Sequence, residues 1–419
     1  RPAAIARCAA VEDVVAAIDF ARHHAIPVAV RGGGHDYAGR SVCDDGLVID
    51  LSPMSSVRVD AQARTARVEA GARWAAVDAA AQAEGLAAVG GTVSTVGVAG
   101  FTLGGGFGHL SRKHGLAVDN LISARVVTTD GRIVRASDSE NEDLFWALRG
   151  GGGNFAVVTS FDLRLHSVPH EVLAGQIIYP FSLARQVLEA YRDFATRAPD
   201  ETTCYAFIIN LPPVAGIPAK HQGQVAIDLV VVHAGDPAEG MQLIEPLRSL
   251  GEPIVDAVGP QPYTAVQQTF DGGVPEGLRW YTRGHGFAEL SDDLLETIVG
   301  HTSHLPGANT MVYFSPMGGA INRVPAGATA YPHRSAAHGL HILAGWADQA
   351  EDDAHLSWVR RFHDAVTPFA EGGVYVNLLG EDEAGRIPDA YGPHFESLSA
   401  LKRKWDPENL LHGNHGGLR

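Results

Sequence analysis

The stretch Arg31-Gly32-Gly33-Gly34-His35-Asp36-Tyr37-Ala38-Gly39 decides how the rest of the chain is interpreted. It follows directly on the apolar run 25–30, which predicts a short buried strand. Three consecutive glycines let the backbone turn with positive φ and approach a bulky neighbour closely. The ring of His35 is therefore placed either to meet a cofactor or to lie on an ordinary surface turn. These nine residues alone leave both interpretations open.

Composition excludes several classes of protein. The chain has 419 residues, of which 45% are hydrophobic and 19% charged, the balance of a globular protein with two or three domains. Its formal net charge of -16 disfavours a nucleic-acid partner or an anionic membrane. We see no membrane span and no signal peptide, so a cytoplasmic protein is expected. The opening Arg1-Pro2 is typical of mid-domain chain and leaves room for an upstream segment.

Cysteine and histidine spacing predicts neither a disulfide framework nor a metal site. The cysteines are few and far apart: Cys8, Cys43 and Cys204. Two histidine pairs have i, i+3 spacing: His338/His341 and His412/His415. Neither pair has a cysteine or carboxylate at ligand spacing, so we expect no metal.

A second glycine-rich stretch occupies residues 90–108. Such small residues build little core, but their backbone N–H groups can form a nest that binds a pyrophosphate. Ser94 and Thr95 add hydroxyl donors, which favours the nest over a packing turn. The order Gly104-x-Gly106-x-Gly108 does not match the Gly-x-Gly-x-x-Gly fingerprint of dinucleotide-binding folds, and no P-loop is present. Phosphate binding is therefore predicted on a different scaffold.

Hydrophobic periodicity predicts alternating helices and strands in the first part of the chain. Apolar residues at helical spacing predict helices over 11–24, 74–84 and 143–149. Short apolar runs between them predict strands, and Asp130-Gly131 is typical of a hairpin turn. This part of the chain is thus a mixture of α and β elements around the glycine-rich loops.

The composition changes near Val168-Pro169, where a second domain is predicted to begin. Strands and helices then alternate, which predicts an α+β domain with a broad sheet covered on one face by helices. Near the end, residues 374–378 are predicted to form a strand with Tyr375 and Asn377 on one face, followed by a helix over 391–404. We therefore expect three segments: 1–169, 170–371 and 372–419.

Several blocks of the sequence together resemble one known family. They are residues 31–35, 95–100, 103–108, 114–120 and 144–154, then Tyr375-Val376-Asn377, Tyr391-Gly392-Pro393 and Trp405-Asp406-Pro407-Glu408-Asn409. In this order, over almost the whole chain, they resemble the FAD-linked oxidases of the berberine bridge enzyme-like group, in the vanillyl-alcohol-oxidase superfamily. As a set they are far more specific than any one motif.

The resemblance implies a fold and a cofactor. The fold is α+β: a PCMH-type FAD-binding domain of two subdomains, then a substrate-binding domain whose antiparallel sheet is covered by helices, and a C-terminal segment that returns to the first domain. His35 matches the histidine that bonds covalently to the flavin 8α-methyl group. Where many relatives have a second, cysteinyl link, this chain has Val93, so a single link is expected. The small Val96 resembles the arrangement that admits oxygen to the flavin.

The resemblance also assigns residues to FAD. The predicted cofactor-binding residues are Arg31, Gly32, Gly33, Gly34, His35, Asp36, Gly39, Gly91, Thr92, Ser94, Thr95, Val96, Gly97, Gly100, Gly104, Gly105, Asp119, Asn120, Gly153, Asn154, Val157, Tyr375 and Asn377.

The predicted chemistry is the transfer of a hydride from substrate to flavin while a base takes a proton. Tyr375 is our first choice for this base or its helper, although a free tyrosine titrates near pH 10. Asn377 is expected to hold cofactor or substrate, and Tyr281 to contact the ligand. Further candidates, each more typical of core or rim positions, are Trp280, Tyr331, His333 and Arg334.

The predicted function is an FAD-dependent oxidase that uses O2 to oxidise a small molecule bearing a hydroxyl or amine group, such as a sugar, an alkaloid or another secondary metabolite. Two alternatives stay open. One is a dehydrogenase with a different electron acceptor, and the other is a non-catalytic flavin- or ligand-binding protein of the same fold. The middle domain contains no motif that identifies the substrate, because fold alone does not specify it.

Overall fold

The computed structural model of the protein describes residues 1–411 and 418, with residue 381 described by its backbone alone. The His412/His415 pair lies outside the described residues. Within them, no helix has both the length and the apolar character needed to cross a membrane.

The strands are β1 (Ala4–Arg7), β2 (Val28–Arg31), β3 (Leu47–Asp50), β4 (Val57–Asp60), β5 (Thr65–Glu69), β6 (Leu86–Ala87), β7 (Leu121–Thr128), β8 (Ile133–Ser137), β9 (Ala156–Arg164), β10 (His166–Ser167), β11 (Glu171–Pro180), β12 (Thr202–Asn210), β13 (Val225–His233), β14 (Val255–Asp256), β15 (Gly259–Pro262), β16 (Arg279–Phe287), β17 (Met311–Pro316) and β18 (His338–Trp346).

The α-helices are α1 (Val11–His24), α2 (Trp74–Gln82), α3 (Val98–Leu103), α4 (Ser111–His114), α5 (Glu142–Leu148), α6 (Ala184–Arg197), α7 (Pro237–Leu243), α8 (Glu245–Arg248), α9 (Tyr263–Val266), α10 (Asp292–Thr302), α11 (Ala320–Arg323), α12 (Asp352–Val366), α13 (Ile387–Tyr391) and α14 (Phe395–Trp405).

The described residues form two compact units. The first contains Arg1–Val168, Val324–Arg334 and the residues from Tyr375 onward. The second contains Pro169–Arg323 and Ser335–Val374. Residues 324–334, which the sequence assigned to the middle domain, therefore group with the first unit.

The first unit is built on two main sheets. The smaller is parallel with strand order β1-β3-β2, and α1 packs against it. The larger is antiparallel with order β4-β5-β9-β7-β8. Its inner face is largely apolar, with Val68, Ala124 and Phe161 almost completely buried. The predicted two-subdomain α+β architecture is confirmed.

The second unit is one broad antiparallel sheet with order β14-β11-β13-β12-β17-β18-β16, and β15 also pairs with β11. Helices α6, α10 and α12 cover one of its faces. Their apolar residues, such as Leu188, Leu295 and Phe362, form one core with alternate residues of the strands. The predicted sheet covered on one face by helices is confirmed.

The strand predicted over 374–378 is wrong. The chain instead makes a 3-10 turn over Val376–Leu378, closed by the amide of Leu378 donating to the carbonyl of Tyr375 over 2.9 Å. The side chain of Asn377 bonds to the backbone of Phe101 rather than lying on a sheet. An alternating pattern of five residues fits either conformation, and these tertiary contacts select the turn.

Candidate active site

The two glycine-rich loops of the first unit meet backbone to backbone. A Cβ atom added to Gly33 would lie 2.4 Å from the backbone nitrogen of Gly97, and one added to Gly97 would lie 2.4 Å from that of Gly33. Only glycine permits this approach. The second loop is in turn fixed to the start of α2, because the amides of Trp74 and Ala75 donate to the carbonyls of Val96 and Ser94.

Several backbone N–H groups of the two loops are not used as donors within the described part of the chain. Among the described residues, five of their amides donate to no acceptor: Gly33, Gly34, Thr92, Val93 and Thr95. All five residues are at least partly exposed. A group of unused N–H donors on loops with little side-chain bulk is the arrangement that binds a pyrophosphate. The residues present therefore fit the diphosphate of FAD.

His35 follows Gly34, whose φ of 73° is left-handed, and is itself half-buried. The loop after it is held by Asp36, whose carboxylate accepts from the amides of Ala38 and Arg40, each over 3.0 Å. The guanidinium of Arg40 then donates to the carbonyl of Leu379 over 3.0 Å. This bond ties the His35 loop to the C-terminal segment. The sequence analysis missed Arg40, whose i, i+4 spacing from Asp36 was the available signal.

Tyr375 and Asn377 lie together against the loop after α3. The hydroxyl oxygen of Tyr375 accepts from the amide of Gly106 over 3.0 Å and from the side-chain amide of Asn377 over 2.9 Å. A Cβ on Gly104 would lie 2.0 Å from Oδ1 of Asn377, and one on Gly105 would lie 2.8 Å from the ring of Tyr331. The structure thus brings Tyr375 and Asn377 together, and the absence of side chains at Gly104 and Gly105 leaves room for the residues packed there.

The electrostatics of this tyrosine favour its neutral form. Burial raises the pKa of the Tyr375 hydroxyl to about 12, although the hydrogen bonds from Gly106 and Asn377 act in the opposite direction. Near neutral pH the group is therefore a phenol. Because two neighbours already donate to its oxygen, its own proton must point to a third partner.

Segment 324–334 supplies a second aromatic residue and a buried ion pair. The ring of Tyr331 lies 6.4 Å from that of Tyr375, edge to face. The guanidinium of Arg334 lies 5.1 Å from the centre of the Tyr331 ring and donates to both carboxylate oxygens of Asp119, over 2.8 and 2.7 Å. Both charged side chains are at least 92% buried, with exposures of 4% and 8%. The pair holds this segment beside Tyr375.

Several predicted cofactor ligands use their side chains to shape the protein instead. Asp119 binds Arg334, and the side-chain amide of Asn120 donates to the carbonyls of His114 and Leu116. Asn154 donates to the carbonyl of Gly151 over 2.7 Å. These side chains set the loop conformations, so any contact they make with FAD is a further one or comes from their backbones.

The third predicted catalytic residue, Tyr281, belongs to the second unit. It lies on β16 in the second unit, on the helix-covered face of the sheet. Its hydroxyl accepts from the guanidiniums of Arg283 and of Arg360 on α12. These bonds hold the Tyr281 side chain against core residues of the second unit, and its catalytic role stays a prediction. Trp280, the neighbouring residue, points to the opposite face and packs over Gly345.

The remaining histidine candidates also have structural partners. Nε2 of His333 donates to the carbonyl of Ala390 over 2.9 Å. His338 and His341 both lie on β18, where i, i+3 residues point to opposite faces. Within the described residues no group of His, Cys, Asp or Glu side chains could hold a metal ion.

Comparison with known proteins identifies the family. Residues 2–137 match the model of the FAD binding domain, and residues 374–416 match the model described as berberine and berberine like. An FAD-linked oxidoreductase of Dictyostelium discoideum is 32% identical over 96% of this chain and 86% of its own length. The (R)-6-hydroxynicotine oxidase of Paenarthrobacter nicotinovorans is 30% identical over 99% and 91%.

A solved structure agrees with this assignment. The 6-hydroxy-D-nicotine oxidase of Arthrobacter nicotinovorans superposes with a TM-score of 0.85 at 29% identity, over 98% of this chain and 91% of that one. The chain therefore belongs to the FAD-linked oxidoreductases of the berberine bridge enzyme-like group, within the vanillyl-alcohol-oxidase superfamily. It is an oxidoreductase, and its cofactor is FAD.

Proposed function

We propose that the protein is an oxidase of a small molecule, in which a C–H bond breaks with its electron pair leaving as hydride and the proton of the adjacent oxygen or nitrogen goes to solvent. Bound FAD would accept the hydride and supply both electrons to O2, which with two protons gives H2O2. The substrate class is a sugar, an alkaloid or another secondary metabolite with a hydroxyl or amine group. The 30% identical relative is named as an oxidase of a hydroxynicotine, which supports the amine arm of this proposal.

The observation that carries the proposal is the environment of the Tyr375 hydroxyl. Its oxygen is held by the amide of Gly106 and the side chain of Asn377, so the direction of its own proton is fixed. A phenol fixed in this way binds the substrate oxygen or nitrogen and sets the orientation of the adjacent C–H bond. Tyr375 is then the catalytic residue that touches substrate, and Asn377 positions it.

His35 and Val93 define how FAD is held in this proposal. A ring nitrogen of His35 would hold FAD covalently through its 8α-methyl group, and Val93, which has no thiol, would leave that link single. The unused amides of the two glycine-rich loops bind the diphosphate. Their close packing through Gly33 and Gly97 supports a shared role for the loops.

We propose that the second unit binds the substrate. On the sheet face opposite its helices, three rings follow one another across neighbouring strands. Phe207 stacks on Tyr313 at 4.9 Å, and Tyr313 packs on His341 at 4.6 Å. Phe207 and His341 are almost fully buried whereas Tyr313 is partly exposed, so Tyr313 is the ring of this row that we propose stacks on a sugar or an aromatic amine.

The test begins with the colour of the acid-precipitated protein. We expect a yellow pellet from the wild type and from a control variant at an exposed histidine, His23→Ala, and a white pellet from His35→Ala. Peroxide release in air is then screened with hydroxylated pyridine alkaloids, oligosaccharides and polyphenols.

Each other outcome assigns a different function. Flavin reduction with transfer to a dye, but no peroxide in air, would make the protein a dehydrogenase. Stable flavin that no substrate reduces would indicate a binding protein. A yellow supernatant over a white wild-type pellet would remove the covalent link and leave the oxidase proposal standing.

A further inference from the structure

The outer face of the five-stranded sheet in the first unit carries a cleft of about 510 Å³. Four arginines line it: Arg58, Arg67, Arg125 and Arg135. Hydroxyl groups contribute to the lining through Ser56, Ser123, Thr159 and Ser160, and the carboxylates through Glu69 and Asp162. We call this set of residues the arginine cleft. None of them belongs to the glycine-rich loops or to the Tyr375 site.

The register of the strands places these arginines in like-charged pairs. Arg58 on β4 lies directly opposite Arg67 on β5, and Arg125 on β7 lies directly opposite Arg135 on β8. Like charges at facing positions of an antiparallel pair repel each other and destabilise the sheet. Two such pairs make this face of the sheet locally positive in a chain of net charge -16.

Carboxylates of the protein compensate only part of this positive charge. The carboxylate of Asp162 accepts from Nε and Nη2 of Arg67 over 2.8 and 3.2 Å, and it also accepts from the hydroxyl of Ser123. Partial burial acts to raise the pKa of Asp162, but the bonds from Arg67 and Ser123 and the charge of Arg135 lower it overall. Glu69 accepts from the backbone amide of Ser56. The four guanidiniums and two carboxylates therefore leave two positive charges.

Within the part of the chain that the structure describes, three of the guanidiniums have no hydrogen-bond or ion-pair partner. Among the described residues, those of Arg58, Arg125 and Arg135 form neither a hydrogen bond nor an ion pair. All three side chains are exposed toward the cleft side of the sheet. Guanidinium groups next to hydroxyl donors are the usual recognition elements for phosphate.

We propose that the arginine cleft is a binding site for a small phosphorylated molecule, separate from the FAD site. Its phosphate lies between Arg125 and Arg135, which face each other across one strand spacing of about 5 Å. Ser160, directly opposite Arg125 on β9, adds a donor. Arg58 lies three strands away and binds a second anionic group. The volume suits a ligand rather than a single ion.

The test uses the FAD-loaded protein, so that the cofactor's own site is filled, and inorganic pyrophosphate as the probe. Calorimetry and thermal unfolding compare the wild type with Arg125→Gln/Arg135→Gln. The control Arg361→Gln/Arg403→Gln removes the same charge from exposed helix positions outside the cleft. We expect the wild type and control to bind and to gain thermal stability, with affinity falling as salt is added. We expect at least a tenfold weaker Kd in the cleft variant.

The unfolding temperature of the cleft variant without ligand is a second readout. Because this variant removes one like-charged pair, it should unfold at the same temperature as the wild type or higher, which separates lost binding from misfolding. Failure of pyrophosphate to bind the wild type, or equal binding by all three proteins, would overturn the proposal. Binding of a poly-glutamate peptide but not pyrophosphate would overturn it in favour of an acidic protein segment.

Discussion

The hydroxyl of Tyr375 is the single atom on which the proposed chemistry depends most. In Tyr375→Phe the ring stays against its glycine loop, while the amides of Gly106 and Asn377 lose their acceptor. We expect the rate of flavin reduction by substrate to fall by about 10²-fold, because the phenol no longer orients the substrate. The free energy of unfolding should fall by about 1–3 kcal/mol, because the buried amide of Gly106 is left unpaired, while Asn377 keeps its bond to the carbonyl of Phe101. Anaerobic stopped-flow absorbance measures the first quantity, and chemical denaturation measures the second.

A matched substitution separates chemistry from stability. The hydroxyl of Tyr179 donates to the carbonyl of Leu247 over 2.8 Å in the second unit. Tyr179→Phe therefore also removes one buried hydrogen bond, but we expect flavin reduction at the wild-type rate. If both variants slow flavin reduction equally, Tyr375 has no special role and the proposal for its hydroxyl is wrong.

The buried ion pair of Asp119 and Arg334 leads to a second prediction for single residues. Both side chains are buried and joined by two hydrogen bonds. Arg334→Gln leaves the carboxylate of Asp119 buried with the backbone amide of Leu116 as its main donor. We expect this variant to lose about 3–5 kcal/mol of unfolding free energy, because an uncompensated charge is costly in the interior.

A double-mutant cycle tests the cause. Asp119→Asn/Arg334→Gln removes both charges, so it should be less destabilised than the sum of the two single variants, with a coupling of at least about 1 kcal/mol. Urea denaturation of all four proteins measures it. Additive effects would show that the two groups contribute independently and that the pair does not fix segment 324–334.

At the scale of elements, the packing of the two glycine-rich loops leads to a clear expectation. In Gly97→Ala the new methyl group would lie 2.4 Å from the backbone nitrogen of Gly33, and neither backbone can move without displacing its loop. We expect this variant to retain its fold by circular dichroism but to lose most of its bound FAD. The ratio of flavin to protein absorbance measures the loss.

The control is a glycine with space around it. Gly300 is exposed in α10, and a Cβ there meets no atom within 4 Å. Gly300→Ala should keep full flavin content and gain about 0.5–1 kcal/mol of stability, because alanine favours the helix. Normal flavin content in Gly97→Ala would mean that the loop contact is not needed for the cofactor.

The elements also show what the sequence could predict. Helix α1 was predicted with its observed ends because Val14, Ile18 and Ala21 form an apolar stripe and Ala25 ends it with a φ of 51°. Local chemistry was sufficient there. Residues 374–378 were predicted wrongly, because their conformation depends on Asn377 bonding to Phe101, 276 positions away in the sequence.

The same limit applies to the site. The glycine loops, Tyr375 and Asn377 could be found because short motifs carry them. The position of segment 324–334 could not be found from the sequence, because it depends on the bond between Arg334 and Asp119, which are 215 positions apart. The face of the sheet occupied by Tyr281 also depends on the register of β16, which an aromatic stretch does not specify. Contacts between distant segments are what single-sequence patterns leave out.

For the whole molecule, three partly or fully buried histidines contribute to the response to acid. His114 and His166 stack at 3.7 Å, and burial lowers the pKa of each to about 4, with the charges of Lys113 and, for His166, Arg164 acting in the same direction. Burial also lowers the pKa of His341 to about 3. The unfolded chain then binds more protons than the folded one below pH of about 6.5. Stability is therefore complete above that pH and is lost as the pH falls toward 4.

Denaturation at a series of pH values checks this profile. His114→Gln/His166→Gln should lose less stability between pH of about 6.5 and 4 than the wild type. The exposed pair His23→Gln/His24→Gln serves as the control and should keep the wild-type slope. A wild-type stability that rises on acidification through this range would contradict the assignment.

The buried carboxyl of Asp228 changes stability with pH in the opposite direction to the histidines. The two contributions together decide at which pH the fold is most stable. Asp228 lies on β13 in the second unit, 2% exposed, between apolar residues of the sheet. Gln176 donates to one of its carboxylate oxygens over 2.6 Å, while the other has no partner among the described residues. Burial raises the pKa of Asp228 to about 7, against a smaller opposing effect of Gln176.

A carboxyl with a raised pKa stabilises the fold when protonated and loses that contribution as the pH rises through 7. Asp228→Asn removes the charge but keeps the shape. We therefore expect the variant to match the wild type at pH of about 5 and to exceed it by on the order of 2–4 kcal/mol at pH of about 8. The three histidines lower stability at acidic pH, and Asp228 lowers it as the pH rises through 7. We therefore expect the wild type to be most stable near neutral pH. A variant that is less stable than the wild type at pH 8 would show that Asp228 is ionised there with a partner that compensates its charge.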